Sequence, residues 1–281
     1  MGQQATTQAP QNITRANHVL PVCYQQAFTK EDGELFVQFL CRDKPPISLH
    51  PLKVGVINDF YTRTVDGVED DGVERFFSTF VEGAYAAVAK RMMELKGDFV
   101  LQPLEIPALL KFVAAQIVRT QAHLDCINQQ AGMEVPRGIF IHNMHRKMKL
   151  IVDRWERQIP DVILWTPLPY LATQFITGDN PVICFSHTEE EPRVHSLVPP
   201  EPKIVDLRVS LESSHNGFMV PLSPYLAMTI INSSERDFIR LRPAQCTDPR
   251  IVRDFNQMIY NQCVNFVEAQ DPEYLKFHVK K

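Results

Sequence analysis

The sequence has no long apolar run and no strong excess of charge of either sign. No stretch approaches the roughly 18–20 apolar residues of a membrane-spanning helix. The start lacks a charged region followed by an apolar one, the pattern of a secretory signal peptide. The formal net charge is -4, so nothing marks a dedicated binder of nucleic acid or acidic membranes, although a local basic patch is compatible with this total. We therefore expect a cytoplasmic protein without a membrane partner.

Motifs for metal, disulfide or nucleotide binding are also missing. The six cysteines are scattered and no two form a CxxC pair, so we expect free thiols in place of disulfide bonds or a zinc site. The sequence contains no GxGxxG, GxxxxGKS/T, GxSxG or HExxH motif. This excludes the easily recognised nucleotide-binding, hydrolase and zincin motifs but not enzymes in general. Any cofactor or metal stays unidentified.

What the sequence does contain is enough apolar material for one core. Of its 281 residues, 44% are hydrophobic, which is ordinary for a globular domain. Residues 1–16 are rich in Gln, Thr, Ala and Asn, with Arg15 as the one charged residue, and we expect a disordered tail there. Residues 17–281 are expected to form a single domain, with 131–137 as the one candidate break between subdomains.

The first half of the chain carries helical periodicity. The spacing predicts three long helices, over about 72–96, 105–130 and 138–158. At the start of the first helix, Asp71 and Glu74 make a capping-box pattern. The apolar stripe of this helix includes Phe80 and predicts that it is the central core helix.

The second half changes to short β-rich runs separated by Pro, Gly, Asn and Ser. These runs predict strands at 162–168, 174–177, 182–185, 204–211, 218–222 and 227–231. Asp248 as N-cap and Pro249 in the first turn predict a last helix that ends at about Ala269. We therefore predict an α+β fold, in which a helical first half packs on a mainly antiparallel sheet from the second half, with a C-terminal helix.

His142 and His145 suggest a pair of metal ligands on one helix. At about 100° per residue, they share a polar sector with Lys149 and Asp153, and the apolar residues of this helix lie on the opposite side. Amphipathic patterning of this kind favours a solvated surface stripe over a metal site.

Gln116 and Arg119 lie at the border of the apolar face of the second predicted helix. A glutamine at such a border is typical of a structural group that satisfies a neighbouring backbone carbonyl. The alternative is a functional pair, in which Gln116 points into a pocket and Arg119 binds an anion with two parallel hydrogen bonds. The sequence leaves both interpretations open.

The most distinctive string is a turn between two β-rich runs, Gly178-Asp179-Asn180-Pro181. Pro181 favours an extended Asn180. Asp179 is compatible with two roles, a turn cap bonded to its own backbone or a carboxylate presented at the end of a sheet as a base or ligand. The sequence does not separate these two roles.

His18 and Pro21 form a His-x-x-Pro motif, and Tyr24 and Phe28 follow it. Together with the Asp179-Asn180-Pro181 string, this layout resembles the domain of unknown function 4238 family. Further positions that match the family's layout are Gly33, Phe60-Tyr61, Glu74, Glu82, Gln116, Arg119 and Pro221-Leu222-Ser223-Pro224. The resemblance covers about residues 17–268. Asn17 stands where many members carry a first histidine, and Gln26-Ala27-Phe28 replaces an Arg-Asn-Phe string. The resemblance implies a placement at the level of the fold and no particular reaction.

We predict a catalytic or ligand-binding domain whose site gathers residues from several elements. The expected catalytic residues are His18 as acid, base or ligand, Asp179 as base or ligand, and Arg119 as an anion clamp. The expected ligand-binding residues are Gln116, Asn180, Glu74 and Glu82. In its concrete form the prediction is a hydrolase that acts on a phosphate-containing substrate, nucleic acid included.

The alternative prediction is a non-enzymatic protein-interaction or regulatory module. In that case the same polar residues form a structural network that fixes the helices on the sheet. The loop at 186–203, rich in Pro and Glu, is then the expected contact with protein partners. Convergence of the polar residues on an open pocket favours the enzyme, and a sealed network favours the module.

Overall fold

A computed structural model describes residues 14–65, 67–95, 98–157, 160–168, 173–186, 216–231 and 241–276. Within these ranges the α-helices are α1 (Val22–Gln25), α2 (Gly72–Phe76), α3 (Gly83–Leu95), α4 (Ile106–Val118), α5 (Gln121–Ala131), α6 (Arg137–Arg157) and α7 (Pro249–Gln262). A π-helical segment, Phe77–Glu82, joins α2 to α3. Residues 1–13 of the predicted tail, most of the loop at 186–203 and the predicted strand at 204–211 lie outside the described residues. The end of the predicted tail is ordered, since Arg15 forms ion pairs with Asp59 and Glu69 and Ala16 begins a strand.

Two larger sheets hold most of the strands. The first has the order β12-β7-β11-β10-β9 and the second β3-β2-β13-β8. Their strands are β2 (Leu35–Phe39), β3 (Ile47–Leu49), β7 (Asp161–Pro167), β8 (Thr177–Gly178), β9 (Ile183–Ser186), β10 (Asn216–Ser223), β11 (Leu226–Ile231), β12 (Leu241–Cys246) and β13 (Phe266–Ala269). The pairings are antiparallel except that of β12 with β7, which is parallel.

Two small ribbons complete the described strands. They pair β1 (Ala16–His18) with β4 (Val56–Asn58), and β5 (Arg63–Val65) with β6 (Val68–Asp70). The α+β class is therefore confirmed. The first half is less helical than expected, because it also supplies β1 to β6, and two of these strands belong to one of the larger sheets.

The five-stranded sheet is covered on both faces, which explains the continuous apolar run of its strand β7. In β7, Val162 and Leu164 join one core cluster, and the alternate residues Ile163 and Trp165 join the other. Successive side chains of a strand point to opposite faces, so the five-stranded sheet separates the two clusters. Helices α3, α4 and α6 fill the larger cluster, and α7 covers the smaller one.

The helix over 72–96 departs from its prediction in two ways. The capping box is wrong, because Asp71 makes no side-chain cap bond and instead accepts from the backbone of Thr14. Phe80 is 66% exposed, so its predicted place in the core is also wrong. Around it, Phe77, Val81 and Tyr85 are buried, which confirms that this stretch contributes to the core. The π-helical turn explains the difference. The predicted apolar stripe assumed the rotation per residue of a regular α-helix, and a π-helical turn has a different rotation per residue.

Two further boundaries differ from the predictions. The helix predicted over 105–130 breaks at Arg119, because Thr120 caps a new helix by accepting from the backbone N–H of His123 at 3.2 Å. The last helix begins as predicted, with Asp248 capping it, but ends at Gln262. The chain then enters β13, so the predicted end at Ala269 is wrong.

Candidate functional site

The side chain of Arg119 is fully buried at the break between α4 and α5, and its exposed fraction is 0%. Its Nη1 donates to Glu82 at 2.7 Å, its Nη2 to the carbonyl of His18 at 2.6 Å and its Nε to the hydroxyl of Tyr61 at 3.1 Å. The guanidinium carbon also lies 4.7 Å from the ring centroid of Phe77. Burial alone lowers the pKa of Arg119, but Tyr61 and Glu82 outweigh it and the pKa is raised. Each of its three nitrogens is therefore engaged within the protein.

Glu74 precedes the π-helical segment, and Glu82 is its last residue. On a regular α-helix of 3.6 residues per turn, positions i and i+8 are roughly 80° apart around the axis. The wider π-helical turn rotates the chain less per residue, which brings the two carboxyl groups towards one face. Glu82 forms an ion pair with Arg119, and both of these charges act on the carboxyl group of Glu74.

The carboxyl group of Glu74 is the most unusual acid of this cluster. Its Oε2 is buried and has no hydrogen-bond partner among the described residues. Burial raises its pKa to about 7, and the negative charges of Glu82 and Asp71 add to this effect while Arg119 opposes it. A carboxyl group that titrates near neutrality can give and take a proton at physiological pH.

His18 places its half-buried side chain beside the same charges. The ribbon of β1 and β4 fixes its backbone, and its Nε2 donates to the carbonyl of Leu52 at 3.4 Å, which assigns the proton to that nitrogen. Burial lowers the pKa of His18, although the Leu52 bond and the charge of Glu82 act in the opposite direction. Nearby, burial raises the pKa of Cys23 to about 12, so this cysteine is a thiol and not a nucleophilic thiolate at neutral pH.

Gln116 lies one helical turn before Arg119 and is completely buried. Neither its Nε2 nor its Oε1 has a hydrogen-bond partner in the described structure. The structure therefore places His18, Glu74, Glu82 and Arg119 in one cluster, and Gln116 borders it along α4.

Asp179 and Asn180 make their bonds elsewhere, at the start of β13. Asp179 accepts from the backbone of Val264 at 3.0 Å and from the backbone and side chain of Asn265 at 2.8 and 2.7 Å. Asn180 donates to the carbonyl of Gln262 at 3.1 Å. Among the described residues, no hydrogen bond or ion pair joins Asp179 to Arg119. A common pocket for these two residues stays a prediction.

Glu268 is a buried acid that the sequence did not single out. It lies in β13 opposite Thr177, its exposed fraction is 0%, and neither carboxyl oxygen has a hydrogen-bond partner among the described residues. Burial raises its pKa well above the ordinary value, and the charge of Asp179 adds to the effect. It was missed because β13 had been assigned to the last helix. The β-branched and aromatic run Val264-Asn265-Phe266-Val267 is the signal that could have found this strand.

Metal binding has little support in the described ranges, where no three or more His, Cys, Asp or Glu side chains are placed to hold an ion. His142 and His145 are exposed, as predicted, and the ring of His145 packs edge-on against Phe76 at 4.8 Å. None of the helices in the described part of the chain combines the length and the apolar character that crossing a membrane requires.

Comparison with known proteins supplies a family. The family model "Protein of unknown function (DUF4238)" matches residues 16–153 and 168–273. Since the match covers most of the chain, the protein belongs to the DUF4238 family, as its motifs had indicated. No curated protein and no solved structure gives a significant match.

Proposed function

We propose that the protein is a catalytic or ligand-binding domain whose site is the cluster of Glu74, Glu82 and His18 around Arg119. The observation that carries this proposal is Glu74, whose buried carboxyl group has a pKa of about 7 and one oxygen without a partner. Strongly perturbed acids with defined neighbours concentrate at functional sites.

The neighbours of Glu74 suggest a division of roles. Glu82 forms a 2.7 Å ion pair with Arg119, and Glu74 has the pKa near neutrality, so we assign the proton exchange to Glu74. His18, whose pKa is lowered by burial, supplies a neutral imidazole beside the two acids. Two carboxyl groups whose environments separate their pKa values are a common basis of acid/base catalysis.

The concrete reaction that we propose is hydrolysis of a phosphate-containing substrate, nucleic acid included. In this reaction Glu74 donates a proton to the leaving oxygen. The acid/base role rests on the structure of the cluster, and the substrate class rests on the sequence prediction. Arg119 has each of its nitrogens engaged by Tyr61, Glu82 and His18, so other groups have to supply direct contacts to the phosphate.

The test replaces the proton donor by its amide. We expect Glu74→Gln to lower kcat/KM on phenyl phosphate or an alkyl phosphodiester, whose leaving oxygens require a proton, by roughly 100- to 10,000-fold with no loss of folded structure. The matched control is Glu94→Gln, because Glu94 is an exposed glutamate on α3, and its activity should equal that of the wild type. An inactive wild-type protein, or an active Glu74→Gln variant, would contradict the proposed hydrolase.

One observation favours the second candidate function, a non-enzymatic module. The full engagement of Arg119 is what a structural network requires. In that case Glu74→Gln stabilises the protein at neutral pH and impairs no reaction. Protein partners at 186–203 stay a prediction, since residues 187–203 lie outside the described part of the chain.

A further inference from the structure

The amide of Gln116 is the least satisfied uncharged polar group near the proposed site. Its donor and its acceptor are both without a partner among the described residues, and the side chain has an exposed fraction of 0%. Buried polar groups without partners cost free energy, and native interiors contain few of them. An amide in this position therefore calls for a bonding partner that does not belong to the described residues.

The direction of the Gln116 side chain follows from the contacts of two residues that share its face of the helix. Phe112, Gln116 and Arg119 occupy positions i, i+4 and i+7, which share one face of a helix. The ring of Phe112 stacks on Tyr85 at 3.7 Å between centroids, and Arg119 contacts Glu82. Because its neighbours on both sides contact the facing helix, Gln116 faces the stretch between Glu82 and Tyr85.

The facing wall carries further polar atoms without partners. The hydroxyl of Tyr85 is fully buried and unbonded, and so is the Oε2 of Glu74 at the other end of the π-helical segment. Glu74 lies within the field of the ion pair of Glu82 with Arg119. Gln116 and Tyr85 belong to the two helices that the stacked rings of Phe112 and Tyr85 bring together. The region between these two helices therefore has unsatisfied polar groups on both sides.

We propose that this region, bordered by Gln116 and Tyr85, binds an uncharged amide-like group, a carbonyl with an adjacent N–H, of the ligand or substrate. Such a group accepts from Nε2 of Gln116 and donates to its Oε1, so both atoms are satisfied at once. An uncharged group fits because Arg119 and Glu82 already neutralise each other, and a further buried charge would have no counter-ion. This proposal rests on the proposed function in one respect, namely that Glu74 belongs to the same site. It adds to that function the chemical class of the group that the site binds.

Entry has to pass the partly exposed residues of the cluster. The side chain of Glu82 is 21% exposed, and those of His18 and Glu74 are half-buried. The π-helical segment between the two acids is an irregular stretch of the kind that often occurs at functional sites.

The experiment measures binding and not activity. Acetamide is titrated into the full-length protein while the side-chain NH₂ resonances of Gln116 are followed by NMR, with acetate and inorganic phosphate as charged probes. We expect acetamide to shift these resonances and the two anions to leave them unchanged. Saturation transfer to acetamide should be lost in Gln116→Leu, because the affinity of this variant for acetamide should be at least roughly tenfold weaker than that of the wild type. If Gln116→Leu does not fold, Gln116→Met takes its place. Gln130→Leu, at an exposed glutamine of α5, should behave as the wild type.

Three outcomes overturn the inference: no binding of acetamide, equal binding by Gln116→Leu, or preferential binding of acetate or phosphate at Gln116. Because none of these readouts involves proton transfer by Glu74, failure here leaves the acid/base proposal standing. Conversely, acetamide could bind as expected while Glu74→Gln keeps the activity of the wild type. That result would reject the proposed function and support the amide site.

Discussion

At the scale of single residues, two carboxylic acids with raised pKa values stand out, Glu74 and Glu268. Burial is the main cause of the raised pKa in each case. They differ in their surroundings. Glu74 is half-buried next to the ion pair of Glu82 with Arg119, and Glu268 is sealed within a sheet beside Asp179. We propose a functional role for Glu74 and not for Glu268 because the side chain of Glu74 is partly exposed, whereas that of Glu268 is fully buried.

For Glu268 the expected consequence is a pH-dependent loss of stability. Its folded-state pKa lies above its unfolded value, so the folded protein retains a proton that the unfolded chain releases, and stability falls as pH rises above about 4.5. Glu268→Gln removes this dependence. We expect the stability of the variant relative to the wild type to improve by up to about 1.4 kcal/mol per pH unit, measured by urea unfolding over a pH series.

The control for this series is Glu31→Gln, at an exposed glutamate. Its curve should run parallel to that of the wild type, because the side chain of Glu31 is in contact with water in the folded protein as it is in the unfolded chain. A Glu268→Gln curve that is also parallel to the wild type would show that Glu268 is ionised or solvated in the folded protein.

At the scale of elements, the π-helical segment separates two neighbouring phenylalanines into different environments. Phe77 is buried against Tyr61 and Arg119, whereas Phe80 is 66% exposed and touches the ring of Phe76. On a regular α-helix both residues would lie on the apolar face, because both fit the spacing of three and four residues that defines it. The site depends on this irregular turn, which also places Glu74 and Glu82 towards one face.

We therefore expect unequal effects from truncating the two rings. Phe77→Ala should lower the free energy of unfolding by about 3–5 kcal/mol, as for other buried phenylalanines. Phe80→Ala should change it by less than about 1 kcal/mol, as for exposed positions. Denaturant unfolding of the two variants measures both values, and a cost for Phe80→Ala equal to that of Phe77→Ala would mean that the stretch is a regular helix with Phe80 in the core.

At the scale of the whole molecule, local patterns predicted those elements whose evidence lies within a single stretch. The helix over 137–157 and the strands at 161–167 and 226–231 agree with their predictions to within one residue at most boundaries. The strand β13 was missed because its pairing with Leu35–Phe39 joins distant parts of the chain. Periodicity within a short window does not record such a pairing.

Of the candidate site residues, Arg119 is bonded to His18 and Glu82 at the break between α4 and α5. Asp179 and Asn180 bond elsewhere, near the start of β13, so that the functional role of these residues stays a prediction. The engagement of Arg119 by three partners was not predictable, since these partners come from β1, from the loop after β4 and from the π-helical segment. The sequence names candidate groups, and the fold decides which of them meet.

The central claim is that Glu74 holds a proton near neutral pH inside this cluster. Its most direct test is an NMR titration of the ¹³C-labelled side-chain carboxyl group of Glu74, assigned by comparison with Glu74→Gln. The account predicts a midpoint at about pH 7, which falls when Glu82→Gln removes the neighbouring negative charge. A midpoint near the ordinary value of 4.5 in the folded protein would contradict the account, because Glu74 would then be a plain carboxylate at physiological pH.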